Sequence, residues 1–143
     1  MTPEDLAAIH RACFRTPRPW TAAEFTDLLA SPQCFLCSAP DGFALGRVIA
    51  GEAELLTIAV RPAARQRGIG RRLLEDFLAE AAQRGAISAF LEVSEANQSA
   101  LALYLKAGFA LIARRHNYYR DPVASHDALI LKRAVSATRV QGD

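Results

Sequence analysis

Long apolar runs are missing from this chain. No stretch reaches the ~18 residues that a membrane-spanning helix needs, which excludes a helical membrane protein. The opening residues, Met1-Thr2-Pro3-Glu4-Asp5, are acidic and lead into no apolar signal core. A cytoplasmic location is therefore expected. Cysteine is scarce, with Cys13, Cys34 and Cys37, and an odd number argues against a disulfide framework. Cys34 and Cys37 have the C-x-x-C spacing, but Cys34–Ser38 reads as a strand, where residues three apart face opposite sides. No second ligand pair lies at zinc spacing, so buried structural cysteines are expected and no metal site. Excess charge is also lacking. A net charge of +2 is too small to argue for nucleic-acid or membrane binding. Internal repeats, low-complexity tracts and linkers are absent too.

What remains is a 143-residue chain, 51% hydrophobic and 22% charged, long enough to bury the core of a single domain. Thr2-Pro3-Glu4-Asp5 begins a first helix with a capping threonine, an early proline and two acids. It runs to about residue 13 or 14, where Arg15-Thr16-Pro17-Arg18-Pro19 breaks it. Thr21 and Glu24 form a capping box for a second helix, and Trp20 and Phe25 fit a hydrophobic staple. That helix ends near Ser31-Pro32. Strands are expected near 34–38, 43–50 and 53–60. A third helix spans 68–83, with Leu73, Leu74, Phe77, Leu78 and Ala81 on one face and Arg84-Gly85 as its cap. A strand at 87–93, a helix at 97–106 and strands near 109–115 and 127–133 complete the order ααβββαβαββ. Residues 1–133 make the domain, and 134–143 read as a flexible tail. The strand-helix-strand unit in the middle implies a parallel pair within a mixed sheet.

Between the third strand and the third helix lies Arg65-Gln66-Arg67-Gly68-Ile69-Gly70-Arg71. A glycine-rich turn that opens a helix presents backbone N–H groups at the positive end of the helix dipole, a phosphate-binding arrangement. A dinucleotide fingerprint would need a third glycine, and a Walker A loop would need Gly-Lys-Ser/Thr. Neither is present. What is left is R/Q-x-x-G-x-G with Arg65 in first place, which resembles the pyrophosphate-binding loop of the GNAT N-acetyltransferase family. Two later stretches strengthen the resemblance. Ala100-Leu101-Ala102-Leu103-Tyr104-Leu105-Lys106-Ala107-Gly108-Phe109 is similar to the family signature A-x-x-L-Y-x-x-x-G-F. Leu91-Glu92-Val93 followed by Asn97 resembles the RimI type, which acetylates the N-terminal alanine of a small-subunit ribosomal protein, and Arg114-Arg115-His116-Asn117-Tyr118-Tyr119 is similar to an R-x-x-Y-Y stretch of the wider protein N-terminal acetyltransferase group. Phe14 and Pro19-Trp20 are similar to the same group. The match covers about residues 1–133.

The resemblance implies a GNAT fold, α/β with a mixed, mostly antiparallel sheet and four flanking helices. It implies acetyl-CoA as acetyl donor, direct transfer in a ternary complex and no metal. Residues 65–71 would hold the coenzyme, together with Asn97, which can also cap its helix. The backbone of Ile58, Ala59 and Val60 would pair with the amide-rich pantetheine arm like an added strand, and the Val60 N–H could meet the acetyl carbonyl. Glu92, at the end of a strand where open α/β sheets place their sites, would be the general base. A surface glutamate is the plainer reading. Tyr104 would protonate the departing thiolate, against the reading of a core tyrosine.

Trp20, Tyr118 and Tyr119 are candidates for the acceptor site. His116 to Tyr119 are expected on a loop between the last two strands, where they suit either a peptide groove or a plain surface loop. An acceptor terminus rich in arginine would want acidic partners, with Asp5, Glu24 and Asp27 as candidates. His10 and His126 are expected to carry no chemistry. The partner expected is a protein N-terminus, with no nucleic acid and no membrane. Two alternatives stand: a GNAT enzyme acting on a small-molecule amine or a lysine side chain, and an acyl-CoA-binding module without catalysis.

Overall fold

The computed structural model describes residues 1–136. Two capping boxes open the chain. In α1 (Pro3–Cys13) the Asp5 N–H donates to the Thr2 hydroxyl at 3.1 Å, and the Thr2 N–H donates back to the Asp5 carboxylate at 2.9 Å. In α2 (Ala22–Ala30) Thr21 and Glu24 repeat the exchange at 3.2 and 3.0 Å. Each box satisfies helix-end N–H groups that lack intrahelical partners. The staple forms as well, with the Trp20 and Phe25 ring centroids 5.6 Å apart.

The remaining elements are β1 (Cys34–Ala39), β2 (Gly42–Ile49), β3 (Glu52–Val60), α3 (Ile69–Gln83), β4 (Ser88–Ser94), α4 (Gln98–Lys106), β5 (Ala110–Arg120) and β6 (Ser125–Ala134). One 3-10 turn, Pro62–Ala64, precedes α3. The six strands form one sheet in the order β1-β2-β3-β4-β6-β5. Only β3 and β4 run parallel, so the expected mixed, mostly antiparallel sheet and element order are both found.

One core lies between the sheet and α3 with α4, built from Leu73, Phe77, Leu91, Tyr104, Leu131 and their neighbours. A second lies under α1 and α2, around Leu6, Ile9, Phe25, Phe43 and Leu45. Gly46 lets two layers touch. A Cβ there would lie 2.6 Å from both Phe35 and Phe77, whose rings stack at 5.8 Å. The three cysteines are free; Cys34 is buried, as expected, whereas Cys37 is only half-buried. Burial raises the Cys37 thiol to about 11, which leaves it protonated and inert at neutral pH.

Two segments depart from expectation. His116, Asn117, Tyr118 and Tyr119 lie within β5, which runs to Arg120, and the connection to β6 is the short Asp121–Ala124 stretch. The strand passes through an irregularity, with Asn117 at φ 52, that sequence patterning alone reads as a loop. The domain also continues past 133. Ala134 pairs with Ser88, and Val135 is buried with its N–H donating to the Ile87 carbonyl at 2.9 Å. The rest of the expected tail, residues 137–143, lies outside the described residues.

Candidate active site

A β-bulge creates the central feature. Leu45 pairs with Thr57 but Gly46 pairs with Leu55, so Leu56 is an extra residue in β3. One extra residue bends a strand and reverses which side chains face which side. Ile58 and Val60 consequently pack on the α3–α4 core, while Leu56 and Ala59 pack under α1 and α2. Beyond the bulge β3 leaves β4. Their parallel pairing covers only Glu52–Leu55 against Ser88–Leu91. From Leu56 to Val60 the β4-facing edge of β3 has no strand beside it, and its N–H and C=O groups are available to an extended ligand. The Val60 carbonyl alone is already engaged there, accepting from the Arg65 Nε at 3.1 Å and the Cys13 thiol at 3.2 Å among the described residues.

The glycine loop closes one end of this gap. Gln66 and Gly68 take left-handed backbone conformations, φ 64 and 80, and Gly68 is the N-cap of α3. Unlike α1 and α2, α3 has no side-chain cap and no acid in its first turn. The Ile69, Gly70 and Arg71 amides therefore point outward without partners from the helix. Gly70 is not required by packing. A Cβ there would meet only the Leu103 Cδ2 at 3.5 Å and the Val60 Cγ2 at 3.9 Å, both ordinary contacts. What its missing side chain leaves is close approach to the helix end, beside exposed Arg65, Arg67 and Arg71. This donor set suits a pyrophosphate.

Glu92 is the first residue of β4 beyond the paired segment, so its side chain stands where the strands part. It accepts a hydrogen bond from the Tyr119 hydroxyl at 3.0 Å, and the Arg115 guanidinium lies 3.7 Å from its other oxygen. Tyr104 projects from α4 into the core that also holds Ile58, Val60 and Val93, with its ring edge-on to Phe109 at 6.1 Å. It is 5% exposed. Among the described residues no fully buried polar side-chain atom lacks a partner, and the Tyr104 hydroxyl makes no hydrogen bond, so the residual exposure includes that hydroxyl. Burial pushes its ionisation well above the ordinary value of 10, which keeps it a proton donor. Asn97 caps α4, its Oδ1 accepting the Ala100 N–H at 3.2 Å.

On the far side of Tyr119 is a groove of about 480 Å³. Cys13 and Phe14 at the end of α1 form one wall, Ser94 lies at the floor, and Tyr119, Asp121 and His126 form the other wall. Tyr119 thus touches both the groove and Glu92. Tyr118 is exposed, edge-on to Tyr119 and under the Arg115 guanidinium. Trp20 does not line the groove. Its ring stacks on His10 at 5.0 Å, behind the Phe14 wall. The acids Asp5 and Glu24 are engaged in capping, and Glu24 also binds Arg18 at 2.8 and 2.9 Å.

A sequence model of the acetyltransferase (GNAT) family matches residues 4–109. The chain belongs to the GNAT family. It is 40% identical over 94 residues to the [ribosomal protein bS18]-alanine N-acetyltransferase of Salmonella typhimurium, covering 66% of this chain and 64% of that protein. It therefore spans slightly less than two thirds of that relative's length. With the N-alpha-acetyltransferase RimI of Mycobacterium tuberculosis it shares 41% identity over 124 residues, which is 80% of this chain and 75% of that one. The crystal structure of the ribosomal-protein-S18-alanine N-acetyltransferase from Escherichia coli superposes with a TM-score of 0.81 at 29% identity, covering 96% of this chain and 89% of that one.

This GNAT domain holds one group that the sequence reading did not name, Asp127, and two that it named without a role in the site, Arg115 and His10. Arg115 stands in the Arg115-x-x-Tyr118-Tyr119 stretch, so a signal existed; Asp127, the first buried residue of β6, offered only its place before the apolar Ala128–Leu131. His10 is 2% exposed and stacked on Phe14 at 4.3 Å. Its Nδ1 accepts the Trp20 N–H at 2.9 Å, so Nε2 carries the proton and donates to the Thr57 hydroxyl at 3.0 Å. It thereby ties the α1–α2 connection to β3 at the bulge.

Burial lowers the ionisation of His10 from 6.5 to about 4. Between those values the unfolded chain binds the extra proton and the folded chain does not. Stability is therefore complete above pH 6.5 and falls as pH drops from there towards 4, by about 3 kcal/mol in all. Thermal melting from pH 7.5 to 4.5 should show this decline in the wild type. In His10→Gln, which retains an acceptor for Trp20, the same limb should be distinctly flatter.

Proposed function

We propose that this domain transfers the acetyl group of acetyl-CoA to the α-amine of a protein N-terminus beginning with alanine, that of a small-subunit ribosomal protein. The observation that carries the reading is the gap between β3 and β4, open along Leu56–Val60, with uncapped α3 amides at one end and Glu92 at its border. The bound coenzyme supplies an activated thioester. The α3 amides with Arg65, Gln66, Arg67 and Arg71 hold its pyrophosphate, and the Ile58–Val60 edge holds its amide-rich arm. The Val60 N–H faces the acetyl oxygen as charge develops there. Asn97 contacts the coenzyme at the mouth of the gap.

The acceptor terminus lies in the groove along Tyr119, with exposed Tyr118 beside it; their aromatic faces and hydroxyls suit peptide backbone. Trp20 backs the opposite wall. Glu92, oriented by Tyr119 and Arg115, takes the amine proton through a water. A modest base suffices, because an α-amine titrates near 7.7–8.0, whereas a lysine at about 10.4 demands more. The amine nitrogen bonds to the acetyl carbon, the carbon–sulfur bond breaks, and Tyr104 protonates the leaving sulfur. The enzyme forms no covalent intermediate. No helix among the described residues is long and apolar enough to cross a membrane, and action in the cytoplasm fits a ribosomal acceptor.

The alanine preference is supported by the named activity of the Salmonella relative, and α-amine acetylation by that of the Mycobacterium relative. The test uses acetyl-CoA and two peptides, one with a free N-terminal alanine and one with a blocked terminus and a free lysine. Mass spectrometry should find acetyl only on the free α-amine. Modification of lysine alone would overturn the acceptor class while leaving the coenzyme site intact.

A further inference from the structure

Asp127 centres a polar knot that the chemistry above does not use. It is 7% exposed, just before the apolar run Ala128–Leu131 of β6. Its carboxylate accepts the Arg114 guanidinium at 2.8 Å and the Asn117 N–H at 2.9 Å, and His116 Nδ1 lies 3.1 Å away. Arg114 and then the Asn117 N–H hold this acid down at about 2. Through its backbone Asp127 reaches the end of β4. Its N–H donates to the Glu95 carboxylate, and its carbonyl accepts the Glu95 N–H at 2.9 Å. Arg114 also approaches Glu95 at 3.9 Å.

The knot sits where β5 changes register. Arg115 pairs with Ala128 and Tyr119 with His126, so four residues of β5 advance against two of β6. In an even ladder Asn117 would face His126, and Tyr119 would lie further out, towards the β5–β6 turn. Asn117 adopts a left-handed backbone, φ 52, a conformation that asparagine tolerates better than most non-glycine residues and that a bond to its N–H can enforce. The carboxylate that receives its N–H is that enforcement.

We infer that Asp127 is a positioning residue: by binding Arg114 and the Asn117 N–H it fixes the β5 bulge that places Tyr119 opposite His126, in the groove and against Glu92. This rests on the reading of Glu92 and Tyr119 given above. The Asp127 side chain acts on the acceptor side, because among the described residues it binds only Arg114, Asn117 and His116 of β5, whereas the α3 amides, the β3 edge and Asn97 belong to other elements.

The experiment compares wild type, Asp127→Asn, Tyr119→Phe and the double variant in steady-state acetylation of the alanine peptide. Asp127→Asn should lower kcat/KM for the acceptor about tenfold and leave KM for acetyl-CoA unchanged. Tyr119→Phe should cost little more once Asp127 is Asn, because the two act as one unit. Fully additive losses, or an equal rise in both KM values, would overturn the assignment.

A second readout needs no turnover. Hydrogen exchange of the Asn117 amide should accelerate about tenfold in Asp127→Asn, and unchanged exchange would overturn the assignment. If wild type acetylates no peptide, the acceptor reading fails while the Asn117 exchange still decides this one. If Asp127→Asn does not fold, Arg114→Gln, which removes a partly exposed donor to the same carboxylate, should produce the same pattern at smaller size.

Discussion

Glu92→Gln is expected to lower kcat for acetyl transfer about 10²-fold and to leave affinity for acetyl-CoA within about twofold. Glutamine preserves the side-chain shape and keeps an oxygen for the Tyr119 hydroxyl to bind, now 3.0 Å from the carboxylate. Only the ability to take up a proton is lost, along with the charge facing Arg115. The proposed coenzyme contacts lie on β3, the glycine loop with the start of α3, and Asn97; the substitution removes none of them, so binding of acetyl-CoA, measured by calorimetry, has no reason to change. The deficit should also depend on pH in a definite direction. Below about pH 8 most of the α-amine is protonated and the base is needed. Above it the free amine is supplied by solvent, and the gap between variant and wild type should narrow. Full kcat at neutral pH would remove Glu92 from the chemistry and leave it a strand-end glutamate.

The parts of this molecule that could be read from sequence are those whose causes are local. Thr2 with Asp5 and Thr21 with Glu24 carry helix starts within four residues, and both boxes are present. The glycine loop was legible for the same reason: Gly68 supplies a left-handed cap, and the missing acids in the first turn of α3 leave its amides open. What could not be read depends on residues far apart in the chain. The bulge at Leu56 hides in a continuous apolar run, because both faces of β3 are covered and alternation carries no parity signal. The extension of β5 through His116–Tyr119 depends on a carboxylate ten residues beyond Asn117, and four polar or aromatic residues in a row imitate a loop. Trp20 was expected at the acceptor, yet its ring is held behind the wall by His10, a contact across the α1–α2 connection.

Tyr104→Phe separates two roles that a buried tyrosine can have. As a core residue Tyr104 contributes its ring, which packs with Phe109 and the α3–α4 core and is wholly retained in phenylalanine. Its hydroxyl has no partner among the described residues, so removing it strands no donor or acceptor and should change stability by less than about 0.5 kcal/mol. As a proton donor the hydroxyl is the whole contribution, and its loss should lower kcat about 10²-fold. The raised ionisation adds a second expectation. Because burial keeps the phenol protonated beyond its ordinary range, no alkaline decline in kcat below pH 10 should arise from Tyr104. Thermal melting and kcat measured on the same preparation therefore give a paired result. Unchanged melting with a large fall in kcat makes Tyr104 the acid. Unchanged melting with unchanged kcat leaves the departing thiolate to solvent and returns Tyr104 to the core.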